Sequence, residues 1–323
     1  MNSSDGRANH APALGGERRQ RDERLWAALL GPDGPRREEA ARTIRALESE
    51  RSYTQQLLEE VFHLQPWQRV AAGEGLSLLG DPRFSAPLYL SEMLAVPAGQ
   101  VILGSDDYPE ERPVHTVHVP GFSLAKYPVT QAAYHAFIQS SNVRVPQGWR
   151  GPKPAPTDLN KPVVFVSWHD ARAYCTWLSE RTGFSYRLPT EAEWMLAARG
   201  SDAPRVFPWG DSFNTLAANA WETGGIERLC AVGLFPDGAG PYGHEDLAGN
   251  VWEWTSSLFW AYPYHALDGR EDPAAKAERY VMHGGSWRSR PVSLRCAARQ
   301  GELPGDSFAV TGFRVARSGG THV

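Results

Sequence analysis

The stretch YRLPTEAEWMLAARG, residues 186–200, specifies its local structure more plainly than any other part of the chain. Thr190 can accept a hydrogen bond from the first helical turn, and Glu193 three residues later completes a capping box, so a helix is predicted to begin at Thr190. Glu191 and Glu193 lie two residues apart on that helix and therefore point in different directions. A paired acid–base role is disfavoured for them, and helix capping is the better explanation of both carboxylates.

Two further helices are predicted on the same grounds. Ser167 caps a helix that runs to about Thr182, where Gly183 ends it. Thr130 caps another helix, which extends through Ile138. Each helix carries one apolar face, which is typical of a helix that packs against a protein core.

The segments around these helices resemble short strands and turns. Residues 93–105 (MLAVPAGQVILGS) alternate well enough to predict a β-hairpin, and residues 113–130 (PVHTVHVPGFSLAKYPVT) predict two strands. Residues 311–317 (TGFRVAR) predict a last strand. After Arg199 the chain otherwise indicates loops and short strands.

The N-terminal part has a different character. Residues 1–22 are polar and basic and predict a disordered tail, and residues 319–323 predict a second, short tail. Residues 23–88 predict a small helical domain, with Pro66 opening its last helix. A unit of this size cannot bury a large core alone, so we expect it to lean on the main domain, residues 89–318.

Composition narrows the classes of function. The chain has 33 basic and 37 acidic residues, a net charge of −4 and a pI of about 6.2, so no electrostatic affinity for nucleic acid or an anionic membrane is predicted. No apolar run is long enough to span a membrane, and residues 1–22 do not resemble a signal peptide. The 3 cysteines have no CxxC spacing and do not indicate a disulfide framework. A cytoplasmic protein is therefore expected.

Several stretches between Phe122 and Arg317 together carry a family resemblance. In chain order they are FSLAKYPVTQAAYHAF, PVVFVSWHDARAYCTWLSERTG, YRLPTEAEWMLAARG, FPWGD, LAGNVWEWTSS, HGGSWRS, LRCAAR and GFRVAR. With them, the chain from about Ser91 onward resembles the formylglycine-generating-enzyme (sulfatase-modifying-factor) family. The resemblance implies an α+β, C-type-lectin-like fold with small antiparallel sheets, a few helices and much irregular structure. Gln131 and Met195 depart from the family's usual Asn and Glu.

The copper chemistry that the resemblance implies lacks its ligands here. The family's oxidases bind copper(I) through two nearby thiolates after a Gly-Gly-Ser motif, and copper(I) prefers such soft ligands. The first thiolate position falls on Ser289, and the shortened segment that follows holds no cysteine before Cys296. Cys296 instead matches a structural cysteine of the family, whose partner position falls near Ala197. We expect Cys296 to be a free, buried thiol.

The other cysteines and the histidines offer no replacement metal site. Cys175 matches a second structural cysteine, whose partner position is Val315, and is also expected to be free and buried. Cys230 lies in an irregular stretch, and we expect it to be unreactive. A non-haem iron branch of the family takes its ligands from a histidine-rich pattern in an extra helical domain, but residues 24–84 contain only His63. Neither copper nor iron is therefore expected.

The loop EDLAGNVWEW, residues 245–254, is a candidate calcium site. The resemblance implies that the carboxylates of Asp246 and Glu253 and the main-chain oxygens of Gly249 and Val251 hold the ion. Calcium takes six to eight oxygen ligands, which an irregular loop can supply. Such a calcium ion would be structural.

A second and fainter calcium site is implied at Asn219 and Ala220. The alternative for the first loop needs no metal. In that alternative Trp252 and Trp254 are core anchors, and Glu253 is a partner in a buried salt bridge.

The segment from residue 287 to residue 311 is the candidate binding surface. Its framework, GGSW, Pro291, LRCA, Arg299, Pro304 and GFR, resembles the variable proteins of diversity-generating retroelements, a related group on the same fold. In those proteins the intervening positions are rewritten by mutagenesis and form a tunable binding face. The predicted ligand-binding residues are Trp287, Arg288, Ser289, Arg290, Val292, Ser293, Ala298, Gln300, Gly301, Glu302, Leu303, Phe308, Ala309 and Val310.

These observations favour a non-catalytic protein that binds a ligand or a macromolecular partner through residues 287–311. Exposed Leu303, Phe308 and Val310, beside arginines and a glutamate, would suit a protein-binding patch. One alternative is a metal- or oxygen-dependent oxidoreductase with a remodelled active site. Another is that the segment is a fixed loop that only closes the fold.

Overall fold

The computed structural model describes residues 11–201, 205–223, 226–272 and 278–318, without the side chains of residues 11–15. Its first part consists of α1 (Ala11–Leu30), α2 (Gly34–Ala46), α3 (Glu50–Glu60) and α4 (Pro66–Leu79). The predicted disordered tail is therefore wrong for residues 11–22, which are helical. Their polar side chains form exposed contacts along the helix, such as Arg19 Nε to Glu23 Oε1 at 3.1 Å, so a polar composition did not mean disorder. The rest of that tail and residues 319–323 lie outside the described residues.

The four helices share one apolar cluster and dock on the main domain through α4. The cluster includes Leu29, Ile44, Leu57 and Leu76. Gly73 of α4 leaves no room for a side chain against Ala231 and Leu234. Arg69 is buried and donates hydrogen bonds through Nη1 to the carbonyl oxygens of Leu216 at 3.0 Å and Leu234 at 3.2 Å. The helical unit packs against the main domain, as predicted, because the main domain covers α4.

Short strands and three helices make up the main domain. The helices are α5 (Gln131–Gln139), α6 (Trp168–Thr182) and α7 (Glu191–Arg199). The strands are β1 (Met93–Val96), β2 (Gly99–Leu103), β3 (His115–Val119), β4 (Phe122–Ala125), β5 (Tyr186–Arg187), β6 (Trp252–Leu258), β7 (Tyr280–His283), β8 (Arg299–Glu302), β9 (Thr311–Gly312) and β10 (Ala316–Ser318). They form sheets of order β1-β4-β10-β5, β2-β3 and β8-β7-β6-β9, antiparallel except for the parallel pair β6–β9. None of the described helices is long and apolar enough to cross a membrane.

The predicted helix starts are confirmed by their caps. Ser167 accepts a hydrogen bond from the backbone N–H of Asp170, and Gly183 ends α6 in the left-handed conformation. Thr190 and Glu193 form the predicted capping box of α7. Thr130 caps α5. These starts were predictable because the hydrogen bonds that set them join residues only three positions apart.

The predicted hairpin of residues 93–105 is wrong. Strand β1 pairs with β4, with Val96 opposite Phe122, and β2 pairs with β3, with Gly99 opposite Val119. Alternation identified the strands, but it cannot choose a partner strand. The predicted last strand likewise divides in two, since β9 joins β6 and β10 joins β4 and β5.

Tryptophans with satisfied indole groups anchor the core between these sheets and helices. Trp254 and Trp194 are fully buried. The indole N–H of Trp254 donates to the carbonyl oxygen of Val166 at 3.1 Å, and that of Trp194 donates to Glu253 Oε2 at 2.8 Å. Large rings with paired N–H groups stabilise a fold that has few long elements.

Candidate binding surface

The segment 287–311 begins at a turn that only glycine can make. Gly284 and Gly285 follow β7 with φ of 94° and 68°, in the left-handed region. A side chain on Gly285 would also meet the Leu294 side chain and the Ser293 carbonyl oxygen. The chain then passes through a short 3-10 helix at Pro291–Leu294 and returns as β8, which pairs with β7. The segment is thus held at both ends by the sheet.

We call the exposed side chains of this segment the display surface. Its members are Arg288, Arg290, Val292, Gln300, Leu303, Phe308 and Ala309. Leu303 and Phe308 are apolar yet 48% and 40% exposed. Trp287, Ser289, Ser293, Glu302 and Val310 are half-buried beside them. Val310 packs against the core, so the expectation that it is exposed is wrong.

Two predicted binding positions are buried. Gly301 lies in β8, where a side chain would overlap the ring of Phe259. Ala298 is buried as well, although it borders a hollow next to the display surface. Gly301 therefore belongs to the framework, and the prediction that it faces a ligand is wrong. Spacing along the chain could not show this, because Phe259 is distant in sequence.

A hollow of about 210 Å³ opens beside Val292 and Gln300. Tyr108 and Glu110 form part of its wall, and the ring of Trp252 also borders it. The loop that carries Tyr108 and Glu110 was missed in the sequence, where no motif marks it. Since both side chains are exposed, they can contribute to binding at this edge of the display surface.

Arg295 fastens that loop to the segment. Its Nη2 donates to Glu111 Oε1 at 2.7 Å and its Nη1 donates to Asp107 Oδ2 at 2.9 Å. The guanidinium also lies over the ring of Tyr108, 5.0 Å from its centroid. This contact holds the hollow in a defined shape.

Trp221 is a second neighbour that sequence reasoning missed. It is 52% exposed, and its backbone N–H donates to the carbonyl oxygen of Ser289 at 3.1 Å. An exposed tryptophan next to a candidate surface is a frequent anchor in protein interfaces. The only available signal was a tryptophan in an irregular stretch, which does not show what it adjoins.

A buried polar cluster around Glu191 includes Arg299 of β8 and contradicts part of the capping prediction. Glu191 is fully buried and accepts hydrogen bonds from Tyr262 Oη at 2.9 Å and Arg299 Nη2 at 3.0 Å. His283 Nε2 also contacts it at 3.2 Å. Burial alone would raise the pKa of Glu191, but Arg299 and His283 outweigh it and lower the pKa to about 2. Glu193 is a cap, whereas Glu191 is the anion that fixes Arg299.

The cysteines do not meet. Cys175, Cys296 and Cys230 are all free and buried, and each belongs to a different apolar cluster. Burial raises the pKa of Cys175 and of Cys296 to about 12 and raises that of Cys230 further, so none is a thiolate at neutral pH. The hydroxyl oxygen of Ser289 accepts a hydrogen bond from the backbone N–H of Ser286 at 2.9 Å. The expectation of free, buried thiols is confirmed.

The comparisons with known proteins agree with this geometry. The family model for the sulfatase-modifying factor enzyme 1-like domain matches residues 82–319. The chain belongs to this family. It is 31% identical to the formylglycine-generating enzyme of Mus musculus, over 78% of this chain and 80% of that one. It is 29% identical to the inactive C-alpha-formylglycine-generating enzyme 2 of Bos taurus, over 71% and 88%.

A solved structure, Treponema denticola variable protein 1, is similar in fold and in sequence. It has a TM-score of 0.59 and 25% identity, and the match covers 70% of this chain and 95% of that one. This chain thus has the C-type-lectin-like fold that its motifs implied. Enzymes, a protein named as inactive and a variable protein all occur among its relatives.

In the candidate calcium loop, residues 245–254, the two acids have different partners. The Glu253 carboxylate is fully buried and accepts hydrogen bonds from Arg314 Nε and Nη2, both at 2.7 Å, and from Trp194. Asp246 Oδ2 accepts a hydrogen bond from the backbone N–H of Gly233 at 2.7 Å. The positive partner of Glu253 is therefore an arginine. This is the salt-bridge alternative that the sequence left open.

Two of the other candidate calcium ligands already accept hydrogen bonds. Gly249 and Val251 lie between these acids, and the carbonyl oxygen of Gly249 accepts the N–H of Val251 at 2.7 Å. At the fainter site, the Ala220 carbonyl oxygen accepts the N–H of Thr223, whereas Asn219 Oδ1 is buried without a hydrogen-bond partner in the described part of the chain. Nowhere in that part do three or more Asp, Glu, His or Cys side chains converge as metal ligands. Calcium at these two loops therefore stays a prediction.

Proposed function

We propose that this protein is a non-catalytic member of its family that binds a macromolecular partner, such as a protein, through the display surface. One observation carries the proposal. Ser289 occupies the position of the first catalytic thiolate, while the three thiols are buried in separate clusters. A copper(I) site needs two thiolates close together, so the scaffold remains without that chemistry.

The build of the display surface supports a binding role. Leu303 and Phe308 supply apolar anchors, and Arg288 and Arg290 supply charge at the rim. The framework beneath is fixed by the Glu191–Arg299 contact. Rigid support with variable exposed side chains lowers the entropy lost on binding.

The variable protein among the relatives supports a finer hypothesis, in which the display surface is diversified by a retroelement. A genomic observation tests it. We expect a reverse transcriptase gene nearby, with a near-copy of the coding segment for residues 287–311 that differs mainly at adenines. If the locus has no such copy, the retroelement hypothesis is wrong and the display surface is a fixed binding surface.

The partner and compartment follow from charge and composition. We propose a cytoplasmic protein whose partner is neither nucleic acid nor a membrane, since the net charge is −4. Calcium, if bound near Asp246, would hold the loop and take no part in recognition.

Binding can be tested by quantitative pull-down with the full chain. The variant combines Arg288→Ser, Arg290→Ser, Leu303→Ser and Phe308→Ser, and the matched control combines Phe62→Ser with Trp67→Ser, two exposed aromatic residues on the helical unit. For partners captured by the native chain, we expect the captured amount to fall at least about tenfold with the display variant and less than about twofold with the control. Equal capture by both variants would place the binding face elsewhere.

The formylglycine-generating enzyme among the relatives favours one second candidate, an oxidoreductase with a remodelled active site. Metal analysis of the purified protein separates the two hypotheses. Stoichiometric iron or copper, together with oxygen consumption, would support the enzyme. Calcium alone, or no metal, agrees with a binding protein.

A further inference from the structure

A cavity of about 490 Å³ lies on another part of the main domain, between the start of α5 and the loop of residues 146–158. The loop is rich in proline, which restricts its backbone. Its far end is held to α5 by the backbone N–H of Gln131, which donates to the Lys161 carbonyl oxygen at 2.8 Å. The cavity is therefore a formed feature, and no residue of the display surface lines it.

Gln131 is the first sign of a ligand. The residue is only 5% exposed and lines the cavity, and its side chain makes no hydrogen bond to the residues that the structure describes. Its amide atoms are open to the cavity, so they can donate to and accept from a molecule that lies there. Gln131 also stands where the family usually has Asn, so this amide reaches further than the usual one.

The charges around the cavity are the second sign. Arg150 and Lys153 line it, are exposed, and form no ion pair with any described residue. Asp158 also lines it, but its carboxylate lies 2.6 Å from Lys161 Nζ and is neutralised there. The lining is thus positive in a chain whose net charge is −4.

The positive charge acts on a neighbouring group. His135 lies against the ring of Trp149, with ring centroids 5.9 Å apart. Burial lowers the pKa of His135, and the charge of Lys153 lowers it further. The ring of Trp149 and the buried Pro154 add apolar surface to the same cavity.

We propose that this cavity binds a small organic anion, whose carboxylate or phosphate faces Arg150 and Lys153 while its apolar body lies against Trp149. Gln131 would hydrogen-bond a polar atom of the ligand. The volume lies within the range of about 300–1,000 Å³ that is usual for small-molecule sites. It admits a ligand of about ten to twenty non-hydrogen atoms. This site goes beyond the display surface and does not depend on it.

Fluorine NMR of the full chain with four matched probes tests the anion requirement. The probes are para-fluorobenzoate, the neutral para-fluorobenzamide and the cationic para-fluorobenzylamine, with para-fluorophenyl phosphate as the phosphate counterpart. We expect at least one of the two anions to bind with a Kd of about 1 mM and to bind more weakly as salt rises. The neutral and cationic probes should bind at least about tenfold more weakly. Failure of both anions at about 20 mM, or equal binding of all probes, would overturn the proposal.

Variants locate the site. Arg150→Gln with Lys153→Gln should weaken binding of the anionic probe at least about tenfold, and Gln131→Met should weaken it about threefold or more. Arg144→Gln is the matched control, because Arg144 is an exposed cation of the same connection that does not line the cavity. The display-surface variant is a second control, and both should stay within about twofold of the native chain. Unchanged binding in the Arg150/Lys153 variant, or an equal loss in Arg144→Gln, would refute the assignment.

Discussion

The display surface and the buried ion pairs of Arg299 and Arg314 follow opposite rules, although both arginines lie within or next to the same segment of the chain. In the buried region, Glu253 is paired with Arg314 and Glu191 is paired with Arg299. On the display surface, the side chains of Leu303 and Phe308 are exposed, so burial does not indicate that they stabilise the core. Substitutions in the first region should change stability, and substitutions in the second should change binding.

Breaking the buried pair should have the largest effect. Arg314→Met leaves the Glu253 carboxylate buried without its cation, and the free energy of unfolding should fall by about 3–5 kcal/mol in urea titrations. Arg317→Met, three residues later at a half-buried cation, should change it by less than about 1 kcal/mol. The double change Glu253→Gln with Arg314→Met should recover part of the loss. A shift below 1 kcal/mol for Arg314→Met would show that water or a metal ion already shares the carboxylate.

Asp246 should produce the next largest effect, and its sign depends on pH. Burial and the charges of Glu245 and Glu253 raise the pKa of Asp246 to about 7. Since this folded-state pKa exceeds the ordinary value, the native chain should lose stability as pH rises from about 4 to about 7. Asp246→Asn should lack this loss and be more stable than the native chain at pH 8, by about 1–3 kcal/mol.

Calcium sharpens the same measurement. If the ion binds the ionised Asp246, adding calcium at pH 8 should raise the melting temperature of the native chain and leave Asp246→Asn unchanged. Removal with a chelator should reverse the rise. Equal melting temperatures with calcium and with chelator would dismiss the calcium prediction for this loop.

Gly301 tests where the framework ends and the display surface begins. Gly301→Ala should destabilise the protein by about 1–3 kcal/mol, because the methyl group overlaps the ring of Phe259. Gln300→Ala, one position earlier and exposed, should stay within about 0.5 kcal/mol. Thermal unfolding of the two variants provides the comparison, and similar values would mean that Phe259 moves aside freely.

The smallest effect on stability is expected at the display surface itself. Leu303→Ser with Phe308→Ser should change the free energy of unfolding by less than about 0.5 kcal/mol per site while it weakens partner binding. A loss of several kcal/mol would show that these side chains close the fold, which was the fixed-loop alternative.

Much of the fold could be predicted because its signals are local. Ser167, Thr190 and Gly183 each mark a helix end through hydrogen bonds or backbone angles within a few residues. The strand pairs were not predictable in this way. Residues 93–105 alternate as a hairpin would, yet β1 and β2 belong to different sheets, because the partners are set by burial against α7 and the other strands.

The same distinction between local and long-range signals applies to the candidate binding surface. The motifs located the segment 287–311, and the family resemblance placed Ser289 at a thiolate position, since both depend on residue identity alone. The exposure of Leu303 and the burial of Gly301 came from packing. So did the partner of Glu191, because Arg299 lies 108 positions away in the chain.

Residue types and short spacings therefore established the family motifs and the helix ends, because these depend on a residue and its nearest neighbours. The pairing of strands, the ion pairs of Glu253 and Glu191, and the lining of the cavity near Gln131 required the folded chain. They depend on side chains that meet only after distant segments have packed together. Packing is decided by the volumes and charges of residues that are neighbours in space, and local sequence spacing does not show which residues these are.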